Sequence, residues 1–291
     1  MPATYAHHRF GERLLPRLQE PFRTAAEQNR SLYDAGQHGP DFLFYYQPLK
    51  QNPISGLGYA AHTQSGRTFF AQAAAAVRTA ADRQAALAYA AGLLCHFALD
   101  SLCHSYVEKK MQQSGREHTE IEGEFERYLL EQDGLHPQRQ VLTAHICPTP
   151  ENGAVIAPFF PPLTAEQAEQ ALHSMISFNK LLRAPGRCKR GLIYGVLWLC
   201  GKYRPMHGMV IPYRPLEACR DSNLRLEKLS RMAEPLALRC MAEFAAYVRG
   251  EGELGADFDR TFEANPGWEA LRVLPYEQEL TYDPAAEMER P

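Results

Sequence analysis

Apolar residues recur along most of this chain with the three- and four-residue spacing of helices, and strand-like alternation of apolar and polar positions is nearly absent. A helix buries one face at this spacing, whereas a strand buries every second residue. The helical pattern occupies seven segments, near residues 10–34, 58–80, 84–112, 117–132, 164–183, 187–203 and 216–249. The sequence therefore predicts an all-α protein, built as a bundle of several helices.

Residues able to carry chemistry are concentrated in the first half of the chain. Seven of the eleven histidines, at positions 7, 8, 38, 62, 96, 104 and 118, precede residue 123. A proline-rich stretch at 147–162 follows, and residues 164–167 have the pattern of a capping box that opens a new helix. We predict a metal-binding catalytic half at 1–146 and a helical half at 147–291 that packs on it, together forming one continuous domain.

Composition and charge exclude several classes of protein. A net charge of −3 gives no general attraction to polyanions, so nucleic acid is not an expected partner. The seven cysteines are scattered without a Cys-x-x-Cys pair, which argues against a disulfide framework and against a thiolate zinc site. The first residues lack a cationic start followed by an apolar run, and no apolar run approaches the ~20 residues of a membrane span. We therefore expect a cytoplasmic protein without a signal peptide.

One predicted helix combines an apolar surface with a few ionisable groups. Residues 85–107 are almost wholly apolar, and apart from Tyr and Cys their ionisable groups are His96, Asp100 and His104, spaced four residues apart on one stripe. A carboxylate buried among Ala, Leu and Phe costs free energy unless an opposite charge compensates it. Metal ions are the usual compensation for such a cluster of imidazoles and acids.

A second pair, His118 and Glu122, repeats the four-residue spacing directly afterwards. One such pair occurs by chance in many helices, whereas two sets within one helical hairpin indicate metal binding, because residues four apart on a helix can grip the same ion. Imidazole and carboxylate donors without a cysteine at ligand spacing favour zinc, with manganese or iron as alternatives.

These residues, with others upstream, resemble the zinc-dependent phospholipase C family, whose all-α fold is shared more distantly with the S1/P1-type nucleases. In that family three zinc ions are held by an N-terminal histidine, a Pro-Asp in a loop, a histidine opening the next helix, His-x3-Asp with a further His, and His-x3-Glu. The resemblance covers roughly residues 1–130. The matching positions, in order, are His7, Asp41, His62, His96, Asp100, His104, His118 and Glu122.

The resemblance implies three ligand sets: Asp41, His62, His96 and Asp100; His104, His118 and Glu122; and His7, a bridging Asp100 and the N-terminal amine. Asp41 would either ligate zinc or accept a proton from the attacking water.

His104 follows Asp100 by four residues, as in the glycosylphosphatidylinositol-specific phospholipase D branch, whereas secreted bacterial members have a spacing of six. Cleavage of the C or D type therefore stays open. Secreted members also use an N-terminal tryptophan as ligand, where this chain is predicted to begin with Pro2. We expect two to three zinc ions.

The implied function is that of a zinc-dependent phosphodiester hydrolase of phospholipase C type, acting on a phospholipid or a small soluble phosphodiester. One alternative is an S1/P1-like nuclease or nucleotidase, for which Phe44, Tyr45 and Tyr46 could stack a base. The other alternative is a helical scaffold in which the metals are structural and closed to substrate.

A segment in the second half bears on the substrate. An apolar run at 192–200, which contains Trp198, is flanked by six basic residues, Arg183, Arg187, Lys189, Arg190, Lys202 and Arg204. This composition suits a peripheral helix on an anionic bilayer. A buried core helix with solvated ends is the more ordinary interpretation of the same composition, and the sequence leaves the membrane interpretation open beside it.

Overall fold

Helices make up the fold of this computed structural model, which describes residues 4–48, 50 and 52–285, and no strand occurs among those residues. The predicted all-α class is confirmed. The α-helices are α1 (Thr4–Leu14), α2 (Phe22–Gln28), α3 (Arg30–Gly36), α4 (Pro53–Thr63), α5 (Gly66–Thr79), α6 (Arg83–Ser114), α7 (His118–Gln132), α8 (Pro150–Ile156), α9 (Ala165–Leu182), α10 (Arg187–Leu199), α11 (Tyr203–Met206), α12 (Arg220–Arg249) and α13 (Tyr276–Glu279). Short 3-10 turns join several of them, including the seven-residue turn Gly39–Tyr45.

Helix α6 is the centre of the bundle. The carboxylate of Asp82 caps its first turn by accepting from the backbone N–H of Ala85, and Gly115 ends it in the left-handed conformation. Every residue from Ala85 to His104 is buried, because α1, α2, α3, α5 and α12 all pack against this helix. A helix covered on all sides is apolar all round. The ionisable stripe of α6 therefore lies in the core.

By length and composition, α6 could also cross a membrane, contrary to the expectation that no segment is apolar enough. Its most apolar window is, however, wholly buried by the other helices. The apolar character of α6 is thus accounted for by its place in the core.

The close crossing of α3 and α6 in this core depends on two glycines. A Cβ atom on Gly92 of α6 would lie 2.1 Å from the carbonyl oxygen of Tyr33 in α3. A Cβ atom on Gly36 would lie 2.3 Å from the carbonyl oxygen of Tyr89. The backbones of α3 and α6 therefore touch, with no room for a side chain between them.

We expect Gly92→Ala to lower the free energy of unfolding by about 3 kcal/mol, because the added methyl group meets backbone that cannot swing away. Gly56→Ala is the matched control, since Gly56 lies in α4 with nothing within 4 Å of an added Cβ. Alanine there should change stability by no more than about 1 kcal/mol, in the stabilising direction. Urea denaturation measures the free energy of unfolding of both variants. Equal effects would contradict the close backbone contact between α3 and α6.

Two predicted helices are each broken into shorter ones. Segment 10–34 is divided among α1, α2 and α3. Pro16 and Pro21 lie between α1 and α2, where proline removes a backbone donor, and Asn29 leaves the helical conformation between α2 and α3. Segment 58–80 is divided into α4 and α5, because Ser65 is extended and caps the first turn of α5. The other five predicted segments each contain one long observed helix.

The second half of the chain packs directly on the first. The predicted capping box is confirmed, with the Thr164 and Gln167 side chains each bonding the other residue's backbone N–H. The proline-rich stretch before it contains α8, and α12 packs along α6. The proposed division after residue 146 stays a prediction.

Helix α10 differs from the others in its exposure. Of its thirteen residues only Arg190 is buried. The interpretation of this segment as a buried core helix is therefore wrong.

Candidate metal centre

The eight predicted ligands come from five elements that meet at the middle of α6. They are His7 on α1, Asp41 in the turn Gly39–Tyr45, His62 on α4, His96, Asp100 and His104 on α6, and His118 and Glu122 on α7. Seven of them are buried, and His118 is half-buried. His62 lies in the last turn of α4, so the expectation that it opens a helix is wrong.

The first ligand group contains Asp41, His62, His96 and Asp100, whose donor atoms all lie within 4.8 Å of one another. His62 Nε2 lies 2.9 Å from Asp41 Oδ1. His96 Nε2 lies 2.9 Å from Asp100 Oδ2 and 4.0 Å from Asp41 Oδ1. Two imidazoles and two carboxylates thus face a common point.

The second ligand group contains His104, His118 and Glu122, also within 4.8 Å of one another. Glu122 Oε1 lies 2.8 Å from His118 Nε2 and 3.5 Å from His104 Nε2. Asp100 Oδ1 is 3.7 Å from His104 Nε2, so Asp100 lies between the two groups.

His7 approaches Asp100 from α1. Its Nε2 lies 3.2 Å from Asp100 Oδ1, and its ring stacks on His96 with the centroids 4.1 Å apart. The N-terminal amine and Pro2, invoked for the third ligand set, lie outside the described residues. The third set is therefore represented here by His7 and Asp100.

Three of the imidazoles are oriented by backbone carbonyls. His62 Nδ1 donates to Gly58 O at 2.7 Å, His96 Nδ1 to Gln37 O at 3.1 Å, and His104 Nδ1 to Phe262 O. Because a carbonyl oxygen only accepts, each Nδ1 carries the hydrogen, and in the neutral ring each Nε2 keeps its lone pair. Metal-binding histidines are held in this way in most proteins.

The carboxylates of both groups are ionised at neutral pH. Burial opposes the charge on Asp100, but His104, His96 and His7 together hold its pKa well below the usual range. Burial likewise opposes the charge on Glu122, and the imidazoles of His118 and His104 lower its pKa to about 2. Ionised carboxylates are the form that binds metal.

The imidazoles differ in the direction in which their pKa values are shifted. Burial lowers the pKa of His96, which keeps this ring neutral and ready to ligate. Burial also works against the charge of His104, yet Asp100 and Glu122 raise its pKa to about 10. A metal ion bound at the second group would have to displace a proton from His104.

The residues present fit zinc. Several buried atoms among them, including His96 Nε2, Asp100 Oδ2 and Glu122 Oε2, have no well-aligned hydrogen-bond partner within the described part of the chain. An unsatisfied buried polar group costs about 1–3 kcal/mol, and native proteins contain few. Such atoms converging from two helices indicate that a cation completes the cluster, and the nitrogen and oxygen donors suit zinc.

Gly39 packs directly against the imidazole ring of His96. Its φ is +49°, in the left-handed region, and a Cβ atom there would lie 2.3 Å from Cδ2 of His96. Only glycine combines that conformation with such a close approach. The turn carrying Asp41 can therefore reach the ring of His96.

We expect Gly39→Ala to lower zinc content and activity together, because the methyl group pushes the His96 ring out of position. Gly134→Ala is the matched control: Gly134 also has a positive φ, +71°, but nothing lies within 4 Å of an added Cβ. Both variants carry backbone strain of about 1 kcal/mol. Only the first should lose zinc by metal analysis, and equal zinc in both would contradict the support given to His96.

A cleft of about 450 Å³ opens over the ligands. Its lining includes three of them, His62, His104 and His118. Its walls are largely apolar and are formed by Phe44, Tyr45, Tyr59, Phe178, Met206 and Met209. The ligand groups are therefore reachable from solvent, as a catalytic metal requires. Of the three aromatic residues proposed for stacking, Phe44 and Tyr45 line the cleft and Tyr46 does not.

Sequence reasoning missed Glu126. It lies one turn after Glu122 on α7, is fully buried, and accepts hydrogen bonds from the backbone N–H groups of Tyr5 and Ala6 at the start of α1. Burial raises the pKa of its carboxyl to about 8. It fixes the start of the helix that carries His7. The signal was present, since Glu126 continues the four-residue spacing of His118 and Glu122.

Comparison with known proteins agrees with this geometry. The sequence model of the family described as zinc dependent phospholipase C matches residues 6–173, more than half of the chain. The matched region includes all eight predicted ligands. No curated protein and no solved structure matches the chain.

Proposed function

The chain belongs to the zinc-dependent phospholipase C family, and from this premise we propose that it is a phosphodiesterase of phospholipase C type that hydrolyses a phospholipid. The observation that carries the proposal is the convergence of two buried nitrogen and oxygen donor groups beside an apolar cleft. The first group would hold one zinc ion and the second group another, and Asp100 and His7 would contribute to a third.

Zinc bound there would lower the pKa of a water molecule toward 7 and neutralise charge on the phosphate oxygens. The chain itself fixes the donors, through carbonyls on three imidazoles and through burial of the carboxylates. Asp41 is buried and does not line the cleft, which favours its role as a ligand over that of a proton acceptor.

The lining of the cleft supports a lipid substrate. Its apolar walls suit the glycerol and first acyl carbons, and they are too apolar for a solvated polyanion. Glu108 and Glu263 are the charged residues of the lining apart from the histidines, and no Lys or Arg of the described chain lines it. Two carboxylates favour a cationic head group such as choline and disfavour a nucleic acid, which would need a basic groove.

Metal analysis combined with product identification tests the proposal. The zinc-loaded protein is given phosphatidylcholine and, separately, single-stranded DNA. Release of phosphocholine and diacylglycerol supports the phospholipase C reaction, and release of choline and phosphatidate indicates D-type cleavage. Nucleotide release would establish the nuclease alternative. Full zinc content without any product would establish the scaffold.

A further inference from the structure

Helix α10 presents an apolar face to solvent. Leu192, Val196 and Leu199 have the i, i+4, i+7 spacing of a single helix face and are 70%, 50% and 77% exposed. Trp198 beside them is 72% exposed. Clusters of large exposed apolar side chains mark interaction sites. The described structure contains nothing that covers this face.

The helix is attached along one edge only. Arg190, its single buried residue, donates to Ile211 O at 2.6 Å and lies over the ring of Tyr213 at 3.9 Å. On the other side, a Cβ atom on Gly191 or Gly195 would have nothing within 4 Å. The apolar face therefore projects from the body of the protein.

Charge around α10 is strongly one-sided. Residues 170–216 contain eight Lys and Arg but no Asp or Glu, and because the whole chain has a net charge of −3, the remainder carries −11. The side chains of Arg187, Lys202 and Arg214 form no ion pair or hydrogen bond with any described residue. Arg187 also lies in the first turn of α10, where a cation is unfavourable to the helix dipole. These cations are therefore available to an external anionic partner.

The charge distribution indicates which kind of partner covers the apolar face of α10. Pairing of two copies through α10 would bring two uncompensated basic segments together, which like-charge repulsion opposes. An anionic bilayer offers the opposite charge and an apolar interior at once. An amphipathic helix with Trp and Leu on its apolar face and Lys and Arg around it is typical of segments that lie in a membrane interface.

Helix α10 is linked to the catalytic cleft through α11. The ring of Tyr194 on α10 packs edge to face on Tyr203 of α11, with centroids 5.4 Å apart. Three residues beyond Tyr203, Met206 lines the cleft beside His118. The hydroxyl of Thr119 donates to Pro205 O at 3.1 Å, which fastens α11 to the ligand helix α7. Helix α10 is thus connected through α11 to the wall of the cleft.

We propose that α10 docks on an anionic lipid bilayer, with Leu192, Val196, Trp198 and Leu199 in the interface and the neighbouring cations on the head groups. The delivery of phospholipid from that bilayer into the cleft rests on the proposed function. The docking itself does not.

Co-sedimentation of the zinc-loaded protein with vesicles tests the docking. The protein binds vesicles of phosphatidylcholine with phosphatidylserine more strongly than vesicles of phosphatidylcholine alone, and added salt weakens this binding. The double variant Trp198→Ser, Leu199→Ser lowers the affinity about tenfold or more, because it removes the two most exposed apolar side chains. Leu280→Ser, an exposed leucine on a distant segment, is the matched control and leaves binding unchanged.

Fluorescence gives a second readout of the same contact. In a Trp268→Phe background Trp198 is the remaining tryptophan, and its emission shifts to the blue when anionic vesicles are added. An unchanged spectrum, or equal sedimentation of the wild type and the double variant, would overturn the proposal. A dimer that the double variant dissociates would overturn it in favour of self-association.

Turnover of a soluble short-chain phosphatidylcholine separates the two proposals. The double variant keeps the wild-type rate on the soluble substrate and loses rate on anionic vesicles. Vesicle binding without turnover of either substrate would leave the docking in place and refute the proposed function. Turnover of the soluble substrate without vesicle binding would refute the docking and leave the proposed function in place.

Discussion

Replacing Asp100 by asparagine abolishes phosphodiester hydrolysis and lowers zinc content by at least one ion per chain; this is the largest single effect that we expect. The Asp100 carboxylate lies within 3.7 Å of the imidazoles of His7, His96 and His104, and it connects the two ligand groups. Asparagine keeps the shape but removes the charge. Residues that merely support metal ligands cost 10–100-fold when replaced, so loss of a shared ligand should cost more than about 100-fold. Metal analysis and turnover are measured on the same preparation.

Asp221→Asn is the matched control for this variant. Asp221 is also a buried carboxylate beside α6, but its partner is the ammonium group of Lys110, at 2.8 and 2.7 Å. Breaking this buried pair lowers stability and should leave zinc content unchanged. Full zinc and full turnover in Asp100→Asn would refute the shared-ligand role. Equal zinc loss in both variants would attribute the effect to general destabilisation.

Removal of two zinc ions by a chelator should lower the melting temperature by about 15 °C. Each ion at about a thousand times its dissociation constant contributes about 4 kcal/mol, and 1 kcal/mol corresponds to about 2 °C in a chain of this size. The physical cause is the buried cluster, because removal of the metal leaves imidazoles and carboxylates from several helices facing one another without the cation that compensates them. Differential scanning calorimetry with and without chelator gives the shift.

Two comparisons make this experiment specific. Restoring zinc, but not magnesium, should restore the melting temperature, because magnesium disfavours imidazole ligands. Asp100→Asn should show a smaller response to the chelator than the wild type, since it has less zinc to lose. An identical response in both proteins would indicate that the stabilising ions lie elsewhere.

Long, strongly periodic helices were predictable from the sequence alone. α6, α7, α9 and α12 begin and end close to the predicted limits because their apolar spacing persists over several turns. Apolar spacing predicts the segments at 10–34 and 58–80 as continuous, but each is broken. The breaks contain prolines and Asn29 in the first segment and extended Ser65 in the second, and apolar spacing does not reveal them.

The candidate site was predicted from the four-residue spacing of histidines and acidic residues and from a family resemblance. Local spacing placed His96, Asp100 and His104 on one stripe, and the structure brings that stripe together with donors from three other helices and a turn. Contacts between distant residues were beyond such reasoning, including the approach of Gly39 to His96. The exposure of α10 was equally hidden, because periodicity identifies an apolar face without saying what covers it.

The hydrogen bond from His104 to the carbonyl of Phe262 makes the candidate metal centre dependent on residues beyond the family match. A fragment trimmed to residues 6–173 would retain all eight predicted side-chain ligands and the whole family match. It would nevertheless lose α12 from the side of α6, and the His104 ring would be free to turn and exchange tautomers. The orientation of His104 therefore depends on a main-chain oxygen 140 positions beyond Glu122, the last predicted ligand.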